Sequence, residues 1–354
     1  MSASRLARTV LAAALACGIA SGLSAAGSSQ AVLTVLTHSS FSASKEVLSA
    51  FEVESGATLR FVEGGDAGET LGKAILTKGN PVADVIFGID NTFLGRALAA
   101  GILEPLDTPL PVSIPADLRL DASGRLAPVD VGYVCLNADA AWFATRGLAL
   151  PSRLEDLALP AYRGLLVVED PAASSPGLAF LLATIARFGE TGSYPWQRFW
   201  RDLRANDVLV AAGWNDAYYN EFSGAGKGRR PLVVSYATSP AAELFYAADP
   251  KPAEPPTVAL VAMEAFRQVE FAGVLKGTRQ PALARRFIAF LLSRRFQEDI
   301  PLQMWVHPAD SGARLPDLFS RFAAVPANPA ALDPALIDAK RDAWTREWTS
   351  IVLK

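Results

Sequence analysis

Histidine and cysteine are nearly absent from this sequence, with two of each in 354 residues. His38 and His307 lie far apart, neither HExxH nor CxxC occurs, and no histidine-based zinc site is expected. No GxSxG motif is present, so the nucleophile elbow of a hydrolase is not signalled. The segment "GGDAGETLGKAI" superficially suggests a phosphate loop. Gly68, however, stands four residues before Gly72 rather than five, and Ala74 occupies the place of the magnesium-binding Ser or Thr. Basic charge is sparse as well: the formal net charge is −3 and no basic run exceeds Arg229–Arg230 or Arg294–Arg295. A nucleic-acid footprint and a polybasic membrane patch are thereby excluded. No apolar run after the leader described next approaches the roughly 20 residues of a membrane span.

What is present begins with that leader. Arg5 and Arg8 precede "TVLAAALACGIASGLSAA", an apolar run too short to span a bilayer and rich in small residues, as in an export signal. Residues 1–31 are read as a signal peptide, with cleavage after Ala26 or Ala31, each having a small residue at −1 and −3. The location expected is the periplasm. A rival reading makes "ALAC" a lipoprotein box anchoring the chain at Cys17, although Ala14 stands where a large aliphatic residue is usual. Loss of Arg5 and Arg8 takes the formal charge from −3 to −5. Only Cys135 then remains, so no intramolecular disulfide can form and stability must come from packing.

The mature chain is longer than one compact core usually requires. From Val32, strand-like and helix-like segments alternate: "VLTVLTHSS", the helix "ASKEVLSAFEVESG", "ATLRFVEG", the helix "AGETLGKAILTKGN", "ADVIFGID", and the helix "NTFLGRALAAG", for which Asn91 is the expected cap. A second α/β run follows "APVDVGYVCLNAD", and "VEFAGVLKG" with the helix "PALARRFIAFLLSRRFQEDI" closes the fold before a last amphipathic helix near "PALIDAKRDAWTREWTSIVL". The expected class is α/β with two lobes, each a mostly parallel sheet flanked by helices, and a ligand cleft between them. Lobe 1 is placed at 32–129 and 272–354, and lobe 2 at 130–271.

Several loop segments carry chemistry unusual for their position. Asp66, where a strand gives way to a helix, is suited both to cap that helix and to meet a cation or amine. Ser174 and Ser175 precede Pro176 at a helix start, where they serve as caps or receive phosphate and hydroxyl groups. "VVSYATSPA" ends a strand in Ser235, Tyr236, Thr238 and Ser239. Trp214, Tyr218, Tyr219 and Trp305 supply aromatic faces in separate segments. Such faces pack a core or bind flat and cationic ligands.

Taken together, these runs resemble the periplasmic thiamine-binding proteins of ABC importers, within the two-lobed type II solute-binding superfamily. The resemblance runs from about Leu33 to Ile351. It is carried by Asp170, Pro171, Ser174, Pro176 and Gly177; by Gly213, Trp214, Ala217 and Tyr218; by Ser235, Tyr236, Thr238, Ser239, Pro240 and Ala241; by Phe296, Gln297, Ile300, Pro301 and Trp305; and by "ADVIFGIDN". It implies a monomeric, non-enzymatic importer component that needs no cofactor or metal. This component captures thiamine or a thiamine phosphate and hands it to an inner-membrane permease. The ligand positions it implies are Asp66, Ala67, Ser174, Ser175, Trp214, Tyr236, Ala237, Thr238, Ser239 and Trp305, with His38 and Tyr218 beside them. His38 and Ala242 stand where the family has tyrosines, so two rings are missing, and Tyr219 is a candidate replacement. His38 could also make binding pH-sensitive. Two alternatives stay open: a ferric-ion-binding relative using the adjacent Tyr218 and Tyr219, and a thiaminase-like enzyme using Cys135 as nucleophile.

Overall fold

The computed structural model describes Gln30–Lys354 with the exception of Thr108. The expected leader, including Cys17, lies outside the described residues except for Gln30 and Ala31. Among the described residues no helix is long and apolar enough to cross a membrane.

The chain opens with β1 (Ala31–Thr37), α1 (Lys45–Ser55), β2 (Ala57–Glu63), α2 (Ala67–Leu76), β3 (Val85–Asp90) and α3 (Leu94–Ala99). Local chemistry sets these boundaries. The Ser44 hydroxyl accepts from Val47 N at the start of α1, and the helix stops on Gly56 in the left-handed region at φ 70°. Asp66 and Glu69 form a capping box at the start of α2. Asn91 does not cap α3. Its side chain reaches the distant segment 267–269 instead, accepting from Val269 N at 2.9 Å and donating to Arg267 O at 3.2 Å, and α3 begins without a side-chain cap.

The middle of the chain supplies β4 (Leu126–Asp139), α4 (Ala140–Arg146), β5 (Leu166–Glu169), α5 (Ser175–Phe188), α6 (Trp196–Ala205), β6 (Leu209–Ala211), α7 (Trp214–Asp216), β7 (Leu232–Tyr236), α8 (Ser239–Tyr246) and β8 (Thr257–Ala259). After α7 the turn Ala217–Glu221 widens to π geometry and carries Tyr218 and Tyr219. The chain closes with β9 (Phe266–Val274), α9 (Pro281–Leu291), α10 (Arg294–Gln297), α11 (Ile300–Gln303), β10 (His307–Pro308), α12 (Asp317–Phe322) and α13 (Pro334–Val352). The single helix expected over 281–300 is broken, because Ser293 turns to extended backbone and caps α10 as a new start.

The ten strands among the described residues belong to one sheet, whose main path runs β2-β1-β3-β9-β4-β7-β5-β6. Its flanks are parallel, with β1 beside β2 and β3, and β5 beside β6 and β7. The centre is antiparallel, because β9 pairs with β3 and β4, and β4 pairs with β7. The doubly wound expectation therefore holds for the flanks, and two strands of opposite sense join them. Asp130 and Phe271, where the sequence suggested crossings, lie inside these joining strands. β4 and β9 are buried along nearly their whole length, and the core is continuous through them.

Candidate functional site

A cavity of about 740 Å³ opens beyond the carboxyl ends of the parallel strands. Its lining includes His38 after β1, Asp66 after β2, Ser175 after β5, Trp214 after β6, and Thr238 after β7. This is where ligands collect in open α/β sheets, and the size suits a small organic molecule.

One wall is aromatic. Trp214 stacks on Tyr218 with ring centres 4.9 Å apart and an interplanar angle of 18°, and Tyr219 meets it edge-on at 5.6 Å. Two of these rings, Trp214 and Tyr218, are fixed by hydrogen bonds: Trp214 Nε1 donates to Ser235 Oγ at 2.9 Å, Ser235 meets Ser239 Oγ at 3.0 Å, and Tyr218 donates to Glu243 at 2.9 Å. Tyr236 donates to Gln268 Oε1 at 3.1 Å, and its ring lies so close to Gly132 that a Cβ there would come within 2.7 Å of it. Trp305 faces the cavity in the left-handed region at φ 56°, with Tyr246 edge-on at 5.6 Å, while its carbonyl accepts from the Thr238 hydroxyl.

The floor is acidic. Glu270 of β9 reaches the cavity, and His38 Nε2 lies 3.4 Å from its Oε2. His38 Nδ1 accepts from Ser40 N at 3.1 Å, which places the ring proton of neutral His38 on Nε2, facing Glu270. Burial opposes charging the ring, but Glu270, with Asp66 and Asp90 behind it, outweighs burial and raises the His38 pKa. A Cβ on Gly88, whose φ is +93°, would sit 2.2 Å from His38 Cδ2, so glycine is required there both for backbone conformation and for space.

Asp66 Oδ2 accepts from Trp214 N at 3.3 Å, so the cap of α2 and the start of α7 meet at the cavity. Burial raises the pKa of this carboxyl, against the amides of Trp214 and Ala67 that donate to it. Burial likewise pushes Asp90 up to about 7, although it accepts from Thr92 and Gln268, and raises Glu169 well above its ordinary value.

The residues singled out from the sequence mostly converge. His38, Asp66, Ala67, Ser175, Trp214, Tyr218, Tyr236, Thr238, Ser239 and Trp305 all line the cavity. Two do not. Ala237 packs its methyl with Cys135 and Ala265, and its amide donates to Tyr133 O at 2.8 Å. Ser174 is fully buried behind Ser175 and does not cap α5 through its hydroxyl. Sequence reasoning missed Glu270, Glu243, Tyr246, Asn215 and Gln303, which also line the cavity. For Glu270 the signal was an acid inside the otherwise apolar strand "VEFAGV", a placement that carries a cost unless the group is paired or protonated.

Comparison with known proteins agrees with this architecture. The bacterial extracellular solute-binding protein family matches residues 80–341. The thiamine-binding periplasmic protein of Escherichia coli K12 is 30% identical over 332 residues, covering 91% of this chain and 93% of the relative. That of Brucella suis is 28% identical over 335 residues, covering 92% and 94%. Among solved structures, a periplasmic thiamin binding protein superposes with a TM-score of 0.77 at 28% identity, covering 91% of this chain and 96% of the other. Iron-bound HitA from Pseudomonas aeruginosa, at 19% identity, 90% and 99% coverage and a TM-score of 0.69, shares the fold. By sequence and by fold, the chain belongs to the bacterial extracellular solute-binding protein family.

Proposed function

We propose that this protein captures thiamine in the periplasm and delivers it, as a monomer, to an inner-membrane ABC permease. One observation carries the choice of ligand: aromatic faces and the carboxylates of Asp66, Glu243 and Glu270 line the cavity, and no lysine or arginine among the described residues does. A flat heterocycle with a permanent positive charge matches that lining through stacking and cation–π attraction. A phosphate ester would have to rely on the amide ends of α5 and α8 instead, with no side-chain cation to receive its charge. The relatives' thiamine-binding names favour the same ligand. Closure would bring together a lobe of 32–129 with 272–354 and a lobe of 130–271, flexing where β4 and β9 join them.

Two observations favour binding of an organic cation over the alternatives. Burial, with Glu243 beside it, raises the Tyr218 phenol well above its ordinary pKa, and the phenol donates its proton to Glu243, opposite to the phenolate a ferric ion needs. Cys135 is buried away from the cavity lining, and burial pushes its thiol up, which disfavours a nucleophilic role. The test is titration with thiamine chloride, followed by tryptophan fluorescence. Quenching that is lost in Trp214→Phe is expected. An unchanged signal, with no calorimetric heat up to about 1 mM thiamine, would end this reading.

A further inference from the structure

Asp90, Glu270 and Asp130 form a single row across the centre of the sheet. Glu270 is the register partner of Asp90 on β3 and of Asp130 on β4. Two irregularities create that alignment: the register shifts between Phe87 and Ile89, at Gly88, and again between Pro128 and Asp130, at Val129. Each shift changes by one which residues stand opposite, so that an acid comes into line with Glu270 from both sides. Directly opposed residues share a face and nearly touch, and like charges so placed repel.

The row is buried, with Asp90 and Asp130 at 0% exposure and Glu270 at 9%. Asp90 is satisfied by Thr92 and Gln268. Asp130 is not: no donor among the described residues reaches either oxygen, and the group opposite it across the sheet is the Glu270 carboxyl. Two carboxyls can bond only if one of them carries a proton. The groups facing Glu270 from the surrounding elements are His38 after β1, Asp66 at α2, Asp90 on β3, Asp130 on β4 and Tyr236 on β7. Only His38 among these can be cationic, and its Nε2, buried at the cavity surface, has no aligned hydrogen-bond acceptor.

We propose that this row is a proton-loaded seat for a cation: a positively charged ligand reaching Glu270 replaces the proton that Asp130 holds opposite it, which leaves to solvent. The inference deepens, and rests on, the reading of the cavity as a receiver of an organic cation. No bond other than that O–H is broken, and the ligand's permanent charge takes over the proton's role in offsetting the two carboxylates. Ligand capture is thereby coupled to proton release, and affinity rises with pH by up to about tenfold per pH unit for each proton released. It also follows that the empty site keeps its acids at low net charge, which limits their mutual repulsion without an arginine in the cavity.

The experiment is calorimetric titration with thiamine chloride at about pH 7 in phosphate and in Tris, buffers that differ in protonation heat, with dissociation constants also measured from about pH 6 to about pH 8. Expected are a buffer-dependent heat reporting proton release and tighter binding at the higher pH. Asp130→Asn should flatten both, because its amide donates to Glu270 permanently, while Glu270→Gln should also weaken binding. Equal heats in both buffers with a flat pH profile would overturn the proton-loaded seat and leave thiamine capture standing. If thiamine gives no heat at any pH, the ligand reading falls, and the ligand-free protein decides the row by 13C carboxyl shifts. An aspartate signal missing in Asp130→Asn that titrates above about pH 6 supports the row, and carboxyls fully ionised from about pH 5 to about pH 8 overturn it.

Discussion

The aromatic wall and the acidic floor of the cavity are built on opposite principles. On the wall, Trp214, Tyr218 and Tyr236 each have a hydrogen-bond partner, Ser235, Glu243 and Gln268 respectively, so the ring faces are set before any ligand arrives. Behind the floor, out of the cavity lining, the oxygens of Asp130 and Glu169 have no donor among the described residues. A satisfied network fixes shape, while an unsatisfied one holds charge in reserve. On the function proposed above, the contrast separates two tasks of recognition: the wall would select a flat ring, and the floor its charge.

The strongest way to break the wall is Trp214→Ala, which removes the ring that Tyr218 and Tyr219 both pack against. Thiamine affinity should fall by about 2–3 kcal/mol, on the order of a hundredfold, measured by calorimetry. A loss below about threefold would mean the wall is core rather than site.

The floor is sharpened by Asp90→Asn. Burial raises the Asp90 pKa to about 7 in the folded protein from the 3.8 of a free carboxyl, so the folded state holds a proton that the unfolded chain has released. That contribution to stability is fully present below the free value and is lost as pH rises through about 7. Wild-type stability in urea should therefore decline relative to the variant's by up to about 1.4 kcal/mol per pH unit between those limits. Parallel curves would place Asp90 among ordinary ionised carboxylates.

Tyr219 tests the edge of the wall. It is 52% exposed, lines the cavity and lacks a hydrogen-bonded anchor among the described residues. If it makes up for the rings missing at His38 and Ala242, Tyr219→Ala should cost about 0.5–1 kcal/mol of thiamine affinity. Tyr246 is a second candidate, since it lies one helical turn beyond Ala242 on α8 and both line the cavity. The smallest effect is expected from Cys135→Ser, whose thiamine affinity should match wild type within about twofold; mass spectrometry should find thiamine intact with both proteins.

Much of this was legible in the sequence, for identifiable reasons. The flanks announced themselves by period: β1, α1, β2, α2 and β3 alternate strand and helix patterns, and caps such as Ser44 and Asp66 act within a few residues. The wall could be found because its residues cluster in short runs, Trp214 to Tyr219 and Ser235 to Ser239. The floor was not found, because its geometry arises only from pairing. Asp90, Asp130 and Glu270 are scattered acids in three strands until two register shifts bring them into line. Asn91 misled for a similar reason: its local role as a cap lost to a partner strand far along the chain. Even so, an acid inside an apolar strand was a readable warning in "VIFGID", "APVDVGY", "LLVVED" and "VEFAGV".

The last helix has a consequence of another kind. α13 seals Trp348 against Trp200 of α6 with ring centres 5.3 Å apart, while Trp344 donates to Glu190 at 3.1 Å and Arg341 lies 5.1 Å from the Phe93 ring just before α3. Segments from the beginning and the middle of the chain are thus tied by its final 19-residue helix. The packing of α6 and of the Phe93 segment therefore cannot be completed locally, because both depend on a helix distant from them in the sequence. Until α13 docks, the tryptophan faces of α6 and the ring of Phe93 lack their cover, so a folding intermediate without this helix exposes apolar surface at two places far apart in the sequence.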